Sequence, residues 1–446
     1  MLQLTELQTV LSAQPKLRIY GRVAAVRGPL ILARMPHAAI GQMCHIRCAN
    51  GRWIQAQVIA FQDDLISLAP LDHLTGISPG AELHSAGDGI YIRPYTPLAG
   101  QVLDALGTPI SLKNQSETES SRLLLSVDHP APNPLLRQPI CQPLATGVKV
   151  IDGLCPIGRG QRIGLFSAAG IGKSTLLGMI ARHSAADINV IALVAERGRE
   201  VNDFIHAALG KEGLKKSVIV VATSDESPAR RQLAAFSATS IAEYFRAQGK
   251  HVMLMVDSIT RTARAIREVG LAAGEFPVRQ GYTSSVYTTL PRLIERAGTD
   301  DKGSITAIYT VLTAGENDLD PLGEELKSLL DGHIVLDSRV AAQGVRPAVD
   351  LTQSVSRLAP QLLPPHELED MRKLVEALHR LKRDRDIVLF GGAPDAELAA
   401  ALAIEPALKA FLNQVPAEST SWQASRTAVK EIADKWRELN KVDASG

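Results

Sequence analysis

Residues 162–166, Arg-Ile-Gly-Leu-Phe, form an apolar run that passes through Ser167-Ala168-Ala169-Gly170-Ile171-Gly172 into Lys173-Ser174-Thr175. A second apolar run, Leu176-Leu177-Gly178-Met179-Ile180, follows at once. The pattern reads as a buried strand, a turn of small residues and a helix that starts at the lysine. Such a turn aims backbone N–H groups at a helix N-terminus, where they cradle a polyphosphate. Residues Ala168, Ala169, Gly170, Ile171, Gly172, Lys173, Ser174 and Thr175 are the candidate phosphate-binding set. Lys173 is expected to reach the β- and γ-phosphates and the Ser174 hydroxyl to sit on Mg²⁺. The strict pattern wants glycine at 167, where this chain has serine; fewer glycines make a stiffer loop. A helix N-cap that merely contains Gly-Lys-Ser is the plainer alternative, and the strand–loop–helix context argues against it.

At 446 residues the chain is too long for one core, so two or three domains are expected. Its 48 basic and 47 acidic residues cancel, leaving no field to gather nucleic acid or anionic lipid. Aromatic residues are only 4% of the chain, too few for a base-stacking surface, so no nucleic-acid partner is expected. No apolar run is long enough to span a bilayer and the start lacks a signal-peptide layout, which predicts a soluble intracellular protein. Cys44 and Cys48 flank His45, but no second ligand pair lies nearby. Free thiols in a reducing cytosol are the expectation for these and for Cys141 and Cys155.

Residues 1–16 carry Leu2, Leu4, Leu7, Val10 and Leu11, a loosely amphipathic start that suits either a short packing helix or a docking segment. From 17 to about 85, short β-type runs between Gly and Asp/Asn turns predict a small barrel. A polar stretch, 114–121, and the proline-rich 130–134 mark a connection. Between 140 and 357, strand candidates at 163–166, 190–195, 218–222, 252–256, 305–312 and 333–336 alternate with helices, the rhythm of a mostly parallel α/β sheet. From Glu367 onward, Leu368, Met371, Leu374, Leu378 and Leu381 recur at helical spacing. The expected division is a barrel in 1–90, an α/β domain in 91–358 and a helical domain in 359–446.

Two carboxylates fit hydrolysis beside the loop. Asp257 ends the apolar strand 252–256, where it can hold Mg²⁺ opposite Ser174. Glu196 ends the strand 190–195 on the same sheet edge, where a carboxylate can polarise an attacking water. It is the general-base candidate. In Glu196-Arg197-Gly198-Arg199-Glu200, Arg197 is a further catalytic candidate, whereas Arg199 and Glu200 are equally explained as a solvated charge cluster.

The segment Pro347-Ala348-Val349-Asp350-Leu351-Thr352-Gln353-Ser354-Val355-Ser356-Arg357 resembles the signature of the α/β family of rotary and hexameric ATPases. There the arginine after Ser-x-Ser reaches the neighbouring subunit's γ-phosphate, so the resemblance makes Arg357 an arginine finger in trans. Such a group is worth roughly 10³–10⁵ in turnover. Further strings resemble the type III secretion and flagellar export ATPases. They include Ala145-Thr146-Gly147 with Asp152, Glu196-Arg197-Gly198-Arg199-Glu200-Val201, Asp257-Ser258-Ile259-Thr260-Arg261, Leu290-Pro291-Arg292 through Gly298, and Leu330-Asp331-Gly332-His333. The resemblance covers about residues 17–390. It implies an N-terminal β-barrel, a central RecA-like P-loop domain and a C-terminal helical domain. It also implies ATP and Mg²⁺, a homohexamer peripheral to the cytoplasmic face of the inner membrane, and stalk and stator partners. Its hydrolysis would release chaperones and unfold export substrates.

Thr262, Phe276, Tyr282-Thr283-Ser284-Ser285 and 393–397 depart from that family's usual residues. A catalytic rotary subunit is the nearest alternative, but Lys-Ser-Thr and Glu-Arg-Gly-Arg-Glu favour export, and Glu196 speaks against a non-catalytic subunit. An RNA-translocating ring lacks support in the barrel, and a ring component that binds nucleotide without turnover has only Ser167-Ala168-Ala169 in its favour. The injectisome reading is carried first and the flagellar one beside it. In the helix 367–385, the basic end at Lys382, Arg383 and Arg385 complements the helix dipole. Because this region faces the stalk in the resembled family, charge reversal at Lys382 and Arg383 is expected to weaken stalk coupling and spare basal hydrolysis.

Overall fold

The computed structural model describes residues 19–110, 123–313 and 321–442. The amphipathic start, 1–16, and the polar stretch 114–121 lie outside the described residues. The chain forms two compact units, one of Met1–Ile90 with Ser227–Arg230 and Glu268–Glu275, the other of the remaining residues.

In the first unit six antiparallel strands close into a barrel: β1 (Tyr20–Arg27), β2 (Leu30–Arg34), β3 (Met43–Arg47), β4 (Trp53–Gln62), β5 (Leu65–Pro70) and β6 (Glu82–Gly87). Their order is β1-β2-β5-β4-β3-β6, and Tyr20 opposite His84 closes the ring. Alternate residues of β4, Ile54, Ala56 and Val58, point into a core shared with Ile31, Ile46, Leu68 and Leu83. That alternation is the period-2 signal of a strand with one buried face. Cys44 and Cys48 belong to this core as free thiols, and burial pushes the Cys44 thiol up to about 11.

The second unit is built on a sheet of β7 (Val102–Asp104), β8 (Arg162–Ser167), β9 (Ile188–Glu196), β10 (Ser217–Thr223), β11 (His251–Asp257), β12 (Ser304–Leu312), β13 (Gly332–Leu336) and β14 (Val355–Ser356). Their order is β14-β13-β8-β12-β11-β9-β10-β7, with Gly298–Thr299 added beside β12. All neighbours from β13 to β7 are parallel; β14 and Gly298–Thr299 run antiparallel. Every residue of β9 and β11 is buried, as a parallel sheet covered on both faces requires.

Several of the family-like strings prove to be supports for this sheet. Buried Asp152 accepts from the amides of Thr146 and Gly147 and from the Thr146 hydroxyl at 2.7 Å, fixing the turn before α1 (Lys149–Leu154). Burial pushes its carboxyl up to about 6, although those three donors pull the other way. Asp331 accepts from the Arg162 amide at 2.9 Å and pairs with its guanidinium, tying the start of β13 to the start of β8. Arg296 is buried, pairs with Glu243 at 2.6 Å and donates to the Val127 carbonyl.

Three long helices end the chain: α7 (Pro365–Leu389), α8 (Ala396–Leu412) and α9 (Trp422–Val442), numbered after α2 (Lys173–His183), α3 (Gly198–Asp203), α4 (Pro228–Ala247), α5 (Ile259–Ala272) and α6 (Pro321–Leu329). Phe411 and Val429 close so tightly on Gly153 that a Cβ there would lie 2.6 Å and 3.0 Å from them. Arg426 threads between the layers, donating to the Gly153 carbonyl at 2.6 Å and pairing with Glu367 at 2.7 Å. In the divergent segment 393–397, Asp395 caps α8 by accepting from the Leu398 amide at 2.8 Å.

Helix α7 differs from its expected form. It continues to Leu389, with no basic residue in its last turn, so Lys382 and Arg383 lie inside it rather than at its dipole end. Lys382 pairs with Asp350 of the α/β layer at 2.7 Å, and Arg383 pairs with its neighbour Asp384. The Lys382 ammonium is thus paired within the chain.

Candidate active site

Strands β8, β9 and β11 are parallel, so their carboxyl ends share one edge. Three side chains meet there. Lys173, the first residue of α2, places its ammonium on the Asp257 carboxylate and 3.7 Å from Glu196 Oε1. Glu196 and Asp257 are the last residues of β9 and β11, and Lys173 follows the turn after β8. Glu196 is 7% exposed and Asp257 2%.

The loop between β8 and α2 explains its own composition. Gly170 and Gly172 adopt φ of +81° and +110°, which side chains resist, and nothing stands within 4 Å of where a Cβ would project from either. Ser167 is the buried last residue of β8, paired with Leu312 and Leu336, and its hydroxyl donates to the Ala168 carbonyl at 2.7 Å. Extended backbone needs no glycine, so serine at 167 leaves the turn unchanged. Ala169, Gly170, Ser174 and Thr175 are exposed, with Ala168 and Ile171 half-buried beside them.

Glu196 is aimed by a distortion of its strand. Ala195 adopts φ +54°, and the register with β10 slips between Val194 and Glu196. A bulge of this kind re-aims the side chain that follows it. Burial, a hydrogen bond shared with Glu200 and the Asp257 charge push the Glu196 carboxyl up to about 7, against the pull of Lys173 and Arg261. The bond shared with Glu196 correspondingly holds Glu200 below the usual carboxylate range, against its slight burial. A carboxylate this basic is suited to accept a proton near neutral pH.

Two contributors had no assigned role in the sequence. Arg261, on the first turn of α5, pairs with Glu196 Oε2 at 2.6 Å and donates to the Ala195 carbonyl at 2.6 Å. Thr310 of β12 donates to Asp257 Oδ1 at 2.8 Å. The available signal was position: Arg261 lies four residues past Asp257, and Thr310 on the strand adjoining β11. Thr262, one of the divergent residues, is buried and bonds back to the Ser258 carbonyl at 3.1 Å.

Arg197 and Arg357 do not join the cluster. Arg197 has a side chain 80% exposed and stands 3.8 Å from Glu200 at the rim. Arg357 follows β14, which pairs with Gly332 and His333 at the beginning of β13. It therefore lies toward the amino ends of the parallel strands, the edge opposite Lys173. It is exposed, and its guanidinium donates to the Lys327 carbonyl at 3.0 Å.

The donor set suits a magnesium nucleotide. A buried carboxylate, an exposed hydroxyl at a helix start, an ammonium shared by two acids and an open glycine turn are the oxygen ligands and phosphate donors such a group needs.

Residues 147–356 match the ATP synthase alpha/beta family, nucleotide-binding domain, and residues 23–87 its beta-barrel domain. The flagellum-specific ATP synthase of Bacillus subtilis is 43% identical over 93% of this chain and 95% of its own. The chain belongs to the ATP synthase alpha/beta family. The type 3 secretion system ATPase of Xanthomonas euvesicatoria, 40% identical over 94% of this chain and 95% of its own, is another member it resembles. The assembled ATPase EscN of the enteropathogenic E. coli type III secretion system superposes with a TM-score of 0.87 at 41% identity, covering 93% of this chain and all of EscN. EscN in complex with its central stalk EscO gives 0.84 at 40% identity, with 93% of this chain and all of that one covered. The family's barrel, nucleotide-binding α/β domain and C-terminal helices are thus all present here.

Proposed function

We propose that the chain hydrolyses ATP in a homomeric ring of six copies and so energises protein export by a type III secretion system. The observation that carries this is the separation of Arg357 from Lys173 on opposite edges of one sheet, which suits a site completed by an identical neighbour. Lys173 leaves Asp257 and Glu196 to bind the β- and γ-phosphates, while the amides at 170–174 orient them. Ser174 and Asp257 would hold Mg²⁺, which neutralises charge on the phosphates when bound. Glu196, steadied by Arg261, takes the proton of the attacking water. Arg357 of the neighbour stabilises charge on the γ-phosphate, and Arg197 is the rim cation on this side.

By the same reading the ring sits at the cytoplasmic face of the inner membrane, takes a stalk as EscN takes EscO, contacts stator proteins, and acts on chaperones and export substrates. Among the described residues no helix is long and apolar enough to cross a membrane. A flagellar export role is the second reading, favoured by the 43% identity to a flagellum-specific relative. Deleting the gene separates them: loss of swimming supports the flagellar reading, loss of other protein secretion the first.

Steady-state hydrolysis against protein concentration tests the chemistry. The rate per chain should rise with concentration, vanish in Lys173→Ala, Glu196→Gln and Arg357→Ala, and return in part when the last two are mixed. A rate independent of concentration, or intact in Arg357→Ala, would overturn the shared site.

A further inference from the structure

The segment leading to Arg357 is held by a knot around one carboxylate. Asp350, 3% exposed, accepts at Oδ1 from the Thr352 amide at 2.9 Å and hydroxyl at 2.6 Å, and at Oδ2 from the Gln353 side chain at 2.7 Å. Its carbonyl accepts from the Ser354 hydroxyl at 2.7 Å. Asp350 N–H and Ser354 Oγ both bond to Val335, which lays this turn along β13. Ser356 then donates to the Pro156 carbonyl at 2.6 Å, and Arg357 is the next residue.

One arm of the knot comes from another layer. The Lys382 ammonium of α7 donates to Asp350 Oδ2 at 2.7 Å and to the Thr352 hydroxyl at 3.0 Å. Burial would raise the Asp350 carboxyl, yet the bonds from Lys382, Thr352 and Gln353 draw it to about 2. A cavity of about 320 Å³ opens beside this arm, lined by Asp350 and Lys382 together with Val349, Leu351, Leu378 and Leu408. Val349 and Leu351 share an apolar core with Leu374, Leu381 and Leu408, and the charged pair adds a directed tie between the segment and the helix.

We propose that Lys382 is a positioning residue for hydrolysis: through Asp350 it sets where Arg357 is presented to the neighbouring copy. The inference rests on the reading of Arg357 as a finger in trans. It makes α7 the route by which a displacement of the helical layer alters the reaction in an adjacent subunit. The link is direct, since only six residues of chain lie between Asp350 and Arg357 and both ends of that stretch are pinned.

The test uses the full chain under assembling conditions. Lys382→Met should lower kcat on the order of 10- to 100-fold, the cost of misplacing a group that acts on the transition state, with KM for ATP unchanged. Lys382→Arg should recover most of the rate, and Asp350→Asn should reproduce the loss if Lys382→Met fails to assemble. Mixing Lys382→Met with Lys173→Ala, whose finger segment is intact, should restore turnover. The double variant Lys382→Met/Arg357→Ala should be no slower than Arg357→Ala alone. A normal kcat in Lys382→Met while Arg357→Ala is inactive, or no rescue on mixing, overturns the clasp but leaves the shared site standing. Normal turnover in Arg357→Ala overturns both.

Discussion

Arg261 holds Glu196 through a 2.6 Å ion pair, while its guanidinium also satisfies the carbonyl of Ala195, the residue with the strained backbone. The same arginine therefore fixes both the direction and the charge of the candidate base. Replacing it with glutamine removes a cation that pulls the Glu196 carboxyl down. The sign follows: the carboxyl rises further above 7, and at neutral pH more of it is protonated and unable to act as a base. Arg261→Gln should shift the rising limb of the kcat–pH profile to higher pH and recover rate toward pH 9. An unshifted limb would remove Arg261 from that role.

Asp350 carries the opposite sign. Its folded carboxyl is drawn from 3.8 to about 2, so it stabilises the fold fully above its unfolded value, and that contribution drains as pH falls through 2. Nearly two units correspond to about 2.5 kcal/mol. Asp350→Asn should therefore unfold at lower urea than wild type at pH 7 by that order, with the gap narrowing progressively below pH 4. Equal urea midpoints at pH 7 would contradict it.

Gly153→Ala tests how closely the helical layer is seated. The added methyl meets Phe411 at 2.6 Å and Val429 at 3.0 Å, both in the core. Overpacking of this kind costs about 1–3 kcal/mol. Thermal unfolding should show the loss, and Gly153→Ala combined with Phe411→Leu should recover part of it.

Ser167→Gly restores the residue the strict phosphate-loop pattern prefers. Because 167 is the extended end of β8, we expect unchanged nucleotide affinity and a loss of about 0.5–1 kcal/mol in stability from the freer chain. Titration with a fluorescent ATP analogue and urea melts would check both; a clear gain in affinity would count against this account.

Much of the sheet was legible because buried parallel strands leave apolar runs: β8 to β11 show them clearly, and β12 and β13 show them interrupted by Thr306, Thr310 and His333. Lys173, Glu196 and Asp257 could be brought to one edge on that basis, since parallel strands must end together. What stayed hidden depended on contacts between distant segments. Lys382 and Asp350 are 32 residues apart and meet only when α7 folds back on β13. The full length of α7 is hidden too, because the basic residues up to Arg385 resemble a helix end while the helix continues to Leu389. Arg261 was present in a recognisable string, but its role emerges only once the first turn of α5 returns to the bulge at Ala195.

If Arg357 serves the neighbouring copy as proposed, its placement opposite the phosphate loop sets how activity grows with assembly. An open arc of copies always ends with one loop lacking a finger and one finger lacking a loop. Every copy added to the arc completes one junction, but the copy that joins its ends completes two. Turnover per chain therefore climbs while the arc grows and steps upward at closure, so ATP is spared by copies still in transit and spent in full only by a finished circle.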